Sequence, residues 1–306
     1  MRALLSVELR RMLARRLVLV FLLMALIGIV LGGLIVAVNS RRPSASDLAS
    51  ARQQLEQSRA ACEQEVRASP EEYGLPPGVK PDGFCRETLR LEYFFGDKRF
   101  HLSGLRNVFL GTSFILTVGG LLLGASFIGA EWHAGTLTTL LTWEPRRLRV
   151  FLAKLSAAVV VVFLLALVLQ AILGLVLAAI AALRGTTEGT GGSWLRSVSG
   201  VALRSAALAV MAAVIGFSVA TIGRNTAAAL GTALVYLAVV ERLIEALRPP
   251  WQRWLVGNNS VLFLTGERDA FRWLNRSMLG AAALLGSYTV ALIVVALVAF
   301  RERDVT

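Results

Sequence analysis

An all-α integral membrane protein is the fold class this sequence predicts. It has six membrane-crossing helices, an N-terminal amphipathic helix and a helical extracytoplasmic region between spans one and two. Three observations lead there. Of 306 residues, 56% are hydrophobic and only 17% are charged, against about 25% charged in average usage. The apolar residues stand in uninterrupted blocks, and the longest exceed the ~18 residues that mark a spanning helix. The polar residues gather into a few connections between those blocks. A soluble protein of this length needs more polar surface than that.

The net charge of +12 fits anionic lipid headgroups and the positive-inside bias better than nucleic acid. There is no zinc-finger spacing, RNP-like motif or basic helix with interleaved aromatics, so nucleic acid is excluded as a partner.

Residues 1–16 place Leu4, Leu5, Leu9, Met12 and Leu13 near one helical face, with Arg10, Arg11, Arg15 and Arg16 toward the other side and the end. This predicts a cytoplasmic basic helix lying in the membrane interface, or a charged flank that sets orientation. Span one is residues 17–38, roughly 33 Å as a helix, enough for a ~30 Å hydrocarbon core. Asn39, Ser40, Arg41 and Arg42 follow it. The apolar run is too long for a signal-peptide core, so it reads as a retained anchor. Gly28, Gly32 and Gly33 in its second half suit close helix packing.

Residues 39–106 are the extracytoplasmic region. Pro43 ends the span, and residues 44–68 carry the Gln, Glu, Arg and Ala of a polar helix. Pro70, Gly74, Pro76, Pro77, Gly78, Pro81 and Gly83 then predict a loop, and residues 88–100 a second, amphipathic helix. Cys62 and Cys85 flank the loop. Two cysteines in one extracytoplasmic segment favour a disulfide over two free thiols, and without nearby histidines they are too few for a metal site.

Span two is residues 107–130, span three 155–183, span four 205–223, span five 226–240 and span six 277–300. Gln170 is the one amide in span three, and Gly223-Arg224-Asn225 turns span four into span five. Six spans put both termini on one side. The short connections carry Arg10, Arg11, Arg15 and Arg16, then Arg146, Arg147, Arg149 and Lys154, then Arg224, then Arg301 and Arg303. That distribution puts the termini in the cytoplasm. The Arg-containing segment 241–276 dissents. Its Trp251, Trp254, Phe263, Phe271 and Trp273 have the composition of an interface belt, with short re-entrant pieces too short to span. Glu241 and Glu245 lie there on one helical face. Buried in the membrane they are functional candidates; the plainer reading is a solvated helix end paired with Arg242 or Arg248.

The chain has no Gly-Lys dipeptide, hence no Walker A loop. It has no H-E-x-x-H, no G-x-S-x-G, and only two histidines, His101 and His133. No charge stands well inside spans one, two, three, four or six, which argues against an ion-coupled carrier. Energy for any transport must therefore enter from outside the chain. The candidate entry point is residues 131–154, the largest cytoplasmic connection. Gly135 and Thr136 start a short helix whose apolar face is Leu137, Leu140 and Leu141. Pro145 stops it, and Arg146, Arg147 and Arg149 stand at the mouth of span three. Glu131 is placed to pair with Arg146, Arg147 or Lys154.

The run Glu131–x3–Gly135–Thr136–Leu137–x2–Leu140–Leu141–x3–Pro145–x–Arg147–x6–Lys154 resembles the signature of ABC-2 type permeases, the membrane subunits of exporter-class ABC transporters of the multidrug and antibiotic-resistance kind. Arg146 replaces a common Ser or Thr, and Trp143-Glu144 is also unusual. The layout resembles the family too: basic start, six spans, large outer loop after span one, and a re-entrant segment before span six.

The resemblance implies a permease subunit in the plasma membrane, paired with a second copy or a related permease. Two cytoplasmic ABC ATPase subunits would dock beneath. ATP and Mg would be bound by those partners, with no cofactor and no enzymatic activity in this chain. Glu131, Gly135, Thr136, Leu137, Leu140, Leu141, Pro145, Arg146, Arg147 and Lys154 would couple the spans to the ATPases. The cargo would be hydrophobic or amphipathic: a drug, antibiotic, peptide or lipid. The rival classes are a membrane-anchored sensor or binding subunit using residues 39–106, and a membrane enzyme, for which no intramembrane catalytic constellation is present.

Overall fold

The structure, a computed structural model, describes residues 2–41, 44–68, 81–91, 94, 99–143, 146–267 and 269–302. Among these residues every regular element is helical, and six helices are long and apolar enough to cross a membrane. The chain divides into two compact units. Met1–Val30, Ser103–Val176 and Gly189–Thr306 form one, and Leu31–Leu102 with Leu177–Glu188 the other.

In the first unit, α1 (Arg2–Leu13) leads at Arg16 into the first long helix, α2 (Arg16–Asn39). Helix α5 (Leu105–His133) follows a 3-10 turn at Leu102–Gly104. It ends at a left-handed corner on Gly135, φ +67°, where glycine avoids the Cβ clash. Helix α6 (Thr136–Trp143) is the short connector, and α7 (Arg147–Arg184) the longest helix. At 38 residues α7 is about 57 Å long, more than a hydrocarbon core requires. It begins before the apolar run because Leu148, Arg149 and Lys154 are good helix formers. Helix α8 (Gly192–Gly223) likewise starts in polar sequence. The Asn225 side chain accepts a hydrogen bond from the Ala227 amide at 2.8 Å, capping α9 (Thr226–Val235).

The fifth span does not stop at Glu241. A π turn at Tyr236–Val240 carries it into α10 (Glu241–Leu247). A 3-10 turn (Pro249–Trp254), α11 (Val256–Thr265) and a second 3-10 turn (Asp269–Leu274) precede α12 (Met278–Glu302). Helix α10 thus completes the fifth span, and α11 is a short helix between it and α12.

Backbone approach is closest between α5 and α8. A Cβ at Gly120 would overlap the Ala209 carbonyl, at Gly124 the Ala213 carbonyl, and at Gly216 the Leu121 carbonyl. These helices lock by small residues at i, i+4 spacing, since lipid supplies no hydrophobic drive between spans. In α2, a Cβ at Gly28 or Gly32 would meet nothing within 4 Å, whereas Gly33 is buried. An aromatic group ties the far ends of four helices. Phe151 of α7 lies 5.4 Å from Phe217 of α8 and 5.7 Å from Phe300 of α12, which meets Trp132 of α5 at 6.2 Å. Deeper in, Gln170 donates to Ser205 at 2.8 Å.

In the second unit, α3 (Ala45–Ala68) starts with a capping box. The Ser44 amide donates to Asp47 at 2.9 Å, and the Asp47 amide donates to the Ser44 hydroxyl at 3.1 Å. Cys62 and Cys85 form a disulfide, Cα–Cα 6.1 Å. It joins α3 to α4 (Pro81–Thr88). The second helix of this region thus precedes the one expected at 88–100. Pro81 has the fixed φ favoured at a first helical position, and Asp82 suits a first turn. Residues 89 and 90 are not helical, and 92–93 and 95–98 lie outside the described residues. The Ser40 hydroxyl donates to the Arg184 carbonyl and accepts from the Phe100 amide. The Thr186 carbonyl accepts from Leu102.

Candidate functional site

Three segments far apart in sequence bring charge to one buried point. Helix α1 contributes Glu8 from its apolar stripe: Leu5, Glu8, Leu9 and Met12 share a face at i, i+3, i+4 and i+7, and Glu8 and Met12 are buried. The end of α5 brings Glu131. The third turn of α7 brings Lys154, which is fully buried. The Lys154 ammonium lies 2.8 Å from Glu8 Oε2 and 2.8 Å from Glu131 Oε2. From the link between α1 and α2, Arg15 donates to Glu131 at 3.2 Å and to the Ser126 carbonyl at 2.6 Å. Arg11 completes the ring on Glu8 at 3.3 Å. The Phe127 face floors the cluster, 4.9 Å from the Arg15 guanidinium and 5.2 Å from the Lys154 ammonium. Burial pushes the Arg15 pKa below its ordinary value, while Glu131 pulls it the other way.

Pairing of Glu131 with Lys154 was one of the expected alternatives. Pairing with Arg15 was not expected, and neither was Glu8. The available signal for Glu8 was an acid placed on the apolar stripe of a basic helix, where only a buried cation makes it tolerable.

The corner and connector follow directly. Gly135 turns the chain, and Thr136 opens α6 with its side chain exposed. Leu137 is fully buried against the bundle core and Leu140 half-buried. Leu141 is in α6, but its side chain and Pro145 lie outside the described residues. Trp143, at the end of α6, is 85% exposed. Arg146 is exposed, and Arg147 donates to the Phe300 and Arg301 carbonyls at 3.4 and 3.1 Å, a C-terminal cap for α12. Arg146, Arg147, Leu148 and Arg301 line an open cavity of about 310 Å³. Arg224 stacks on Trp132 at 4.9 Å. One end of the first unit therefore gathers α1, the α5–α6–α7 connection, the α8–α9 link and the end of α12.

The other two candidate acids separate. Glu245 is paired with Arg242 at 2.9 Å and accepts from Asn258 at 3.2 Å, as the plainer reading held. Glu241 is buried, 6% exposed, and departs from that reading. Its two oxygens accept the Gly257 amide at 2.9 and 3.2 Å, and it hydrogen-bonds the Tyr236 side chain. A Cβ at Gly257 would meet the end of the Glu241 side chain, so glycine leaves room for the carboxylate at the first turn of α11. The opposite end of α11 faces cations. Arg106 of α5 donates to the Thr265 carbonyl at 2.8 Å and pairs with Glu267 at 2.9 Å. Arg204 of α8 lies against Gly266, the left-handed C-cap. An acid at its N-terminus and two arginines at its C-terminus match the macrodipole of α11. Arg106 and Glu131 stand at opposite ends of α5, roughly 38 Å apart at 1.5 Å per residue.

A family model described as ABC-2 family transporter protein matches residues 3–246. The match takes in the Lys154 cluster and α6 and ends before α11. No curated protein and no solved structure matches the chain.

Proposed function

Because the chain belongs to the ABC-2 transporter family, we propose that it is the permease subunit of an ABC exporter, driven by separate ATPase subunits docked at α6. The family is a membrane transport component that works with ABC ATPase partners. The observation that carries the docking assignment is the two-sidedness of α6: Leu137 is fully buried while Trp143 is 85% exposed. A helix anchored on one face and offering a large aromatic on the other is suited to receive a partner, since exposed tryptophan is a preferred interface anchor. The corner at Gly135 and the Lys154 cluster make α6 continuous with α5, α7 and α1, so a push on α6 displaces those helices together. The ends of the bundle that carry Arg10, Arg11, Arg146, Arg147, Arg224 and Arg301 face the cytoplasm under this reading, in the plasma membrane. A second permease copy or a related permease completes the pathway. The cargo class is hydrophobic or amphipathic, in keeping with spans rich in Ala, Val, Leu and Gly.

The test is co-purification of the full chain, tagged, with the ATPase encoded alongside it. Wild type retains the ATPase, and Trp143→Ala reduces the retained amount about tenfold or more, the scale of a ≥ 1.4 kcal/mol interface anchor, at an unchanged thermal midpoint. Equal retention by wild type and Trp143→Ala overturns the docking assignment; no ATPase with either overturns the permease reading.

A further inference from the structure

We propose that Arg253, Arg276 and Trp254 form a binding site for the phosphate headgroup of an anionic phospholipid, at the end of the bundle that holds α11. The starting point is how the charges in residues 241–276 are engaged. Glu241 accepts the Gly257 amide, Glu245 pairs with Arg242, Glu267 with Arg106, and Asp269 with Arg272 at 2.9 Å. Every carboxylate of the segment is thereby taken. Arg248, Arg253 and Arg276 have no carboxylate ion pair among the described residues, and Arg268 lies outside them.

The Arg253 and Arg276 guanidinia are not dispersed. Both sit over one indole: Arg253 at 5.5 Å and Arg276 at 5.0 Å from the Trp254 ring centroid. Two cations held on one ring repel each other, and the ring quadrupole offsets only part of that. An anion bound beside the ring reduces that repulsion, and the planar guanidinium fork is the donor geometry that grips a phosphate on two oxygens.

Place and surroundings select a lipid over free phosphate. The span Thr226–Leu247 ends six residues before Arg253, and α12 starts at Met278, two residues after Arg276. The pair therefore stands where a span enters the headgroup layer. Trp254 is 47% exposed, and Trp251 and Trp273, in the same two 3-10 turns, are also exposed. Indole rings favour that depth, with the apolar body toward acyl chains. A free phosphate uses none of this apolar surface; a phospholipid uses both. The site also gives the basic segment 241–276 a physical role on a side of the membrane where the charge rule does not expect it.

The test uses the purified full chain in detergent, titrated with phosphatidylglycerol or phosphatidylcholine and read by native mass spectrometry. Phosphatidylglycerol binds wild type more tightly than phosphatidylcholine does. Arg253→Gln/Arg276→Gln lowers phosphatidylglycerol binding roughly tenfold or more, as expected for two surface cations, whereas the exposed pair Arg52→Gln/Arg86→Gln in the second unit leaves it unchanged. Trp254→Ala, which keeps both charges, weakens it as well. Equal binding of the two lipids, or equal loss in both double variants, overturns the site. Full displacement of phosphatidylglycerol by millimolar inorganic phosphate overturns its assignment to a lipid. Thermal midpoints of all variants are measured, and Trp254→Phe, which keeps a ring under the cations, replaces Trp254→Ala if the latter does not fold. Its binding then stays near wild type, and a tenfold loss counts against the ring's role.

Discussion

The acids near the two ends of the first unit solve the same problem in different ways. At one end, Glu8 and Glu131 are satisfied by Lys154 and by Arg11 and Arg15, with partners up to 146 positions apart in the chain. At the other, Glu241 is satisfied by a backbone amide 16 positions away and by a helix dipole. An ion cluster ties distant segments together and depends on every member keeping its charge. An amide-bound carboxylate holds one local turn and depends on shape, which a glycine at 257 leaves room for. The first arrangement suits a junction through which α1, α5 and α7 move together. The second suits a clasp that fixes α11 beside the fifth span.

The largest expected effect is at the ion cluster. Lys154→Met leaves two buried carboxylates facing each other and costs about 3–5 kcal/mol, the range for removing one partner of a buried pair. Thermal unfolding in detergent, or loss of monodisperse protein, reads it. Adding Glu8→Gln to Lys154→Met restores most of that loss, because Glu131 keeps Arg15 and it is the uncompensated charge that is costly. A double variant no more stable than Lys154→Met erases the contrast.

Next comes Glu241→Ala, which leaves the Gly257 amide without its acceptor and costs roughly 2–3 kcal/mol. Hydrogen exchange at the first turn of α11 accelerates, while α1 and the start of α7 keep their protection. Spread of the change to α1 would show that the two ends are not independent. Glu241→Gln keeps an acceptor oxygen and the shape, and costs only about 1 kcal/mol. A loss as large as that of Glu241→Ala would make charge, not shape, the requirement there. The smallest effect is at the exposed Arg242–Glu245 pair, where Arg242→Ala changes stability by about 0.5 kcal/mol or less.

Much of the fold was legible because a spanning helix is a local property. Twenty successive apolar residues between polar flanks leave the backbone no other way to satisfy its amides in lipid. The corner at Gly135, α6, and the anchoring of Leu137 were legible from turn and cap chemistry and from a short apolar face. Spacing alone does not single out the tight crossing, which belongs to Gly120 and Gly124, since a small residue packs closely only if another helix arrives opposite it. The Pro/Gly stretch also concealed α4, because Pro81 begins a helix as readily as it ends one.

The sequence by itself determined that this chain is a six-span helical membrane protein, that Cys62 and Cys85 are placed to pair, and which family it resembles. Only the tertiary structure decided that Glu8 and Arg15 join Glu131 and Lys154, that Glu241 is buried while Glu245 is paired at the surface, and that Arg253 and Arg276 share one indole. Hydropathy and capping act within a turn or a span and are written in neighbouring residues. The partner of a buried charge is chosen by which helices pack together, and that choice joins positions separated by more than a hundred residues.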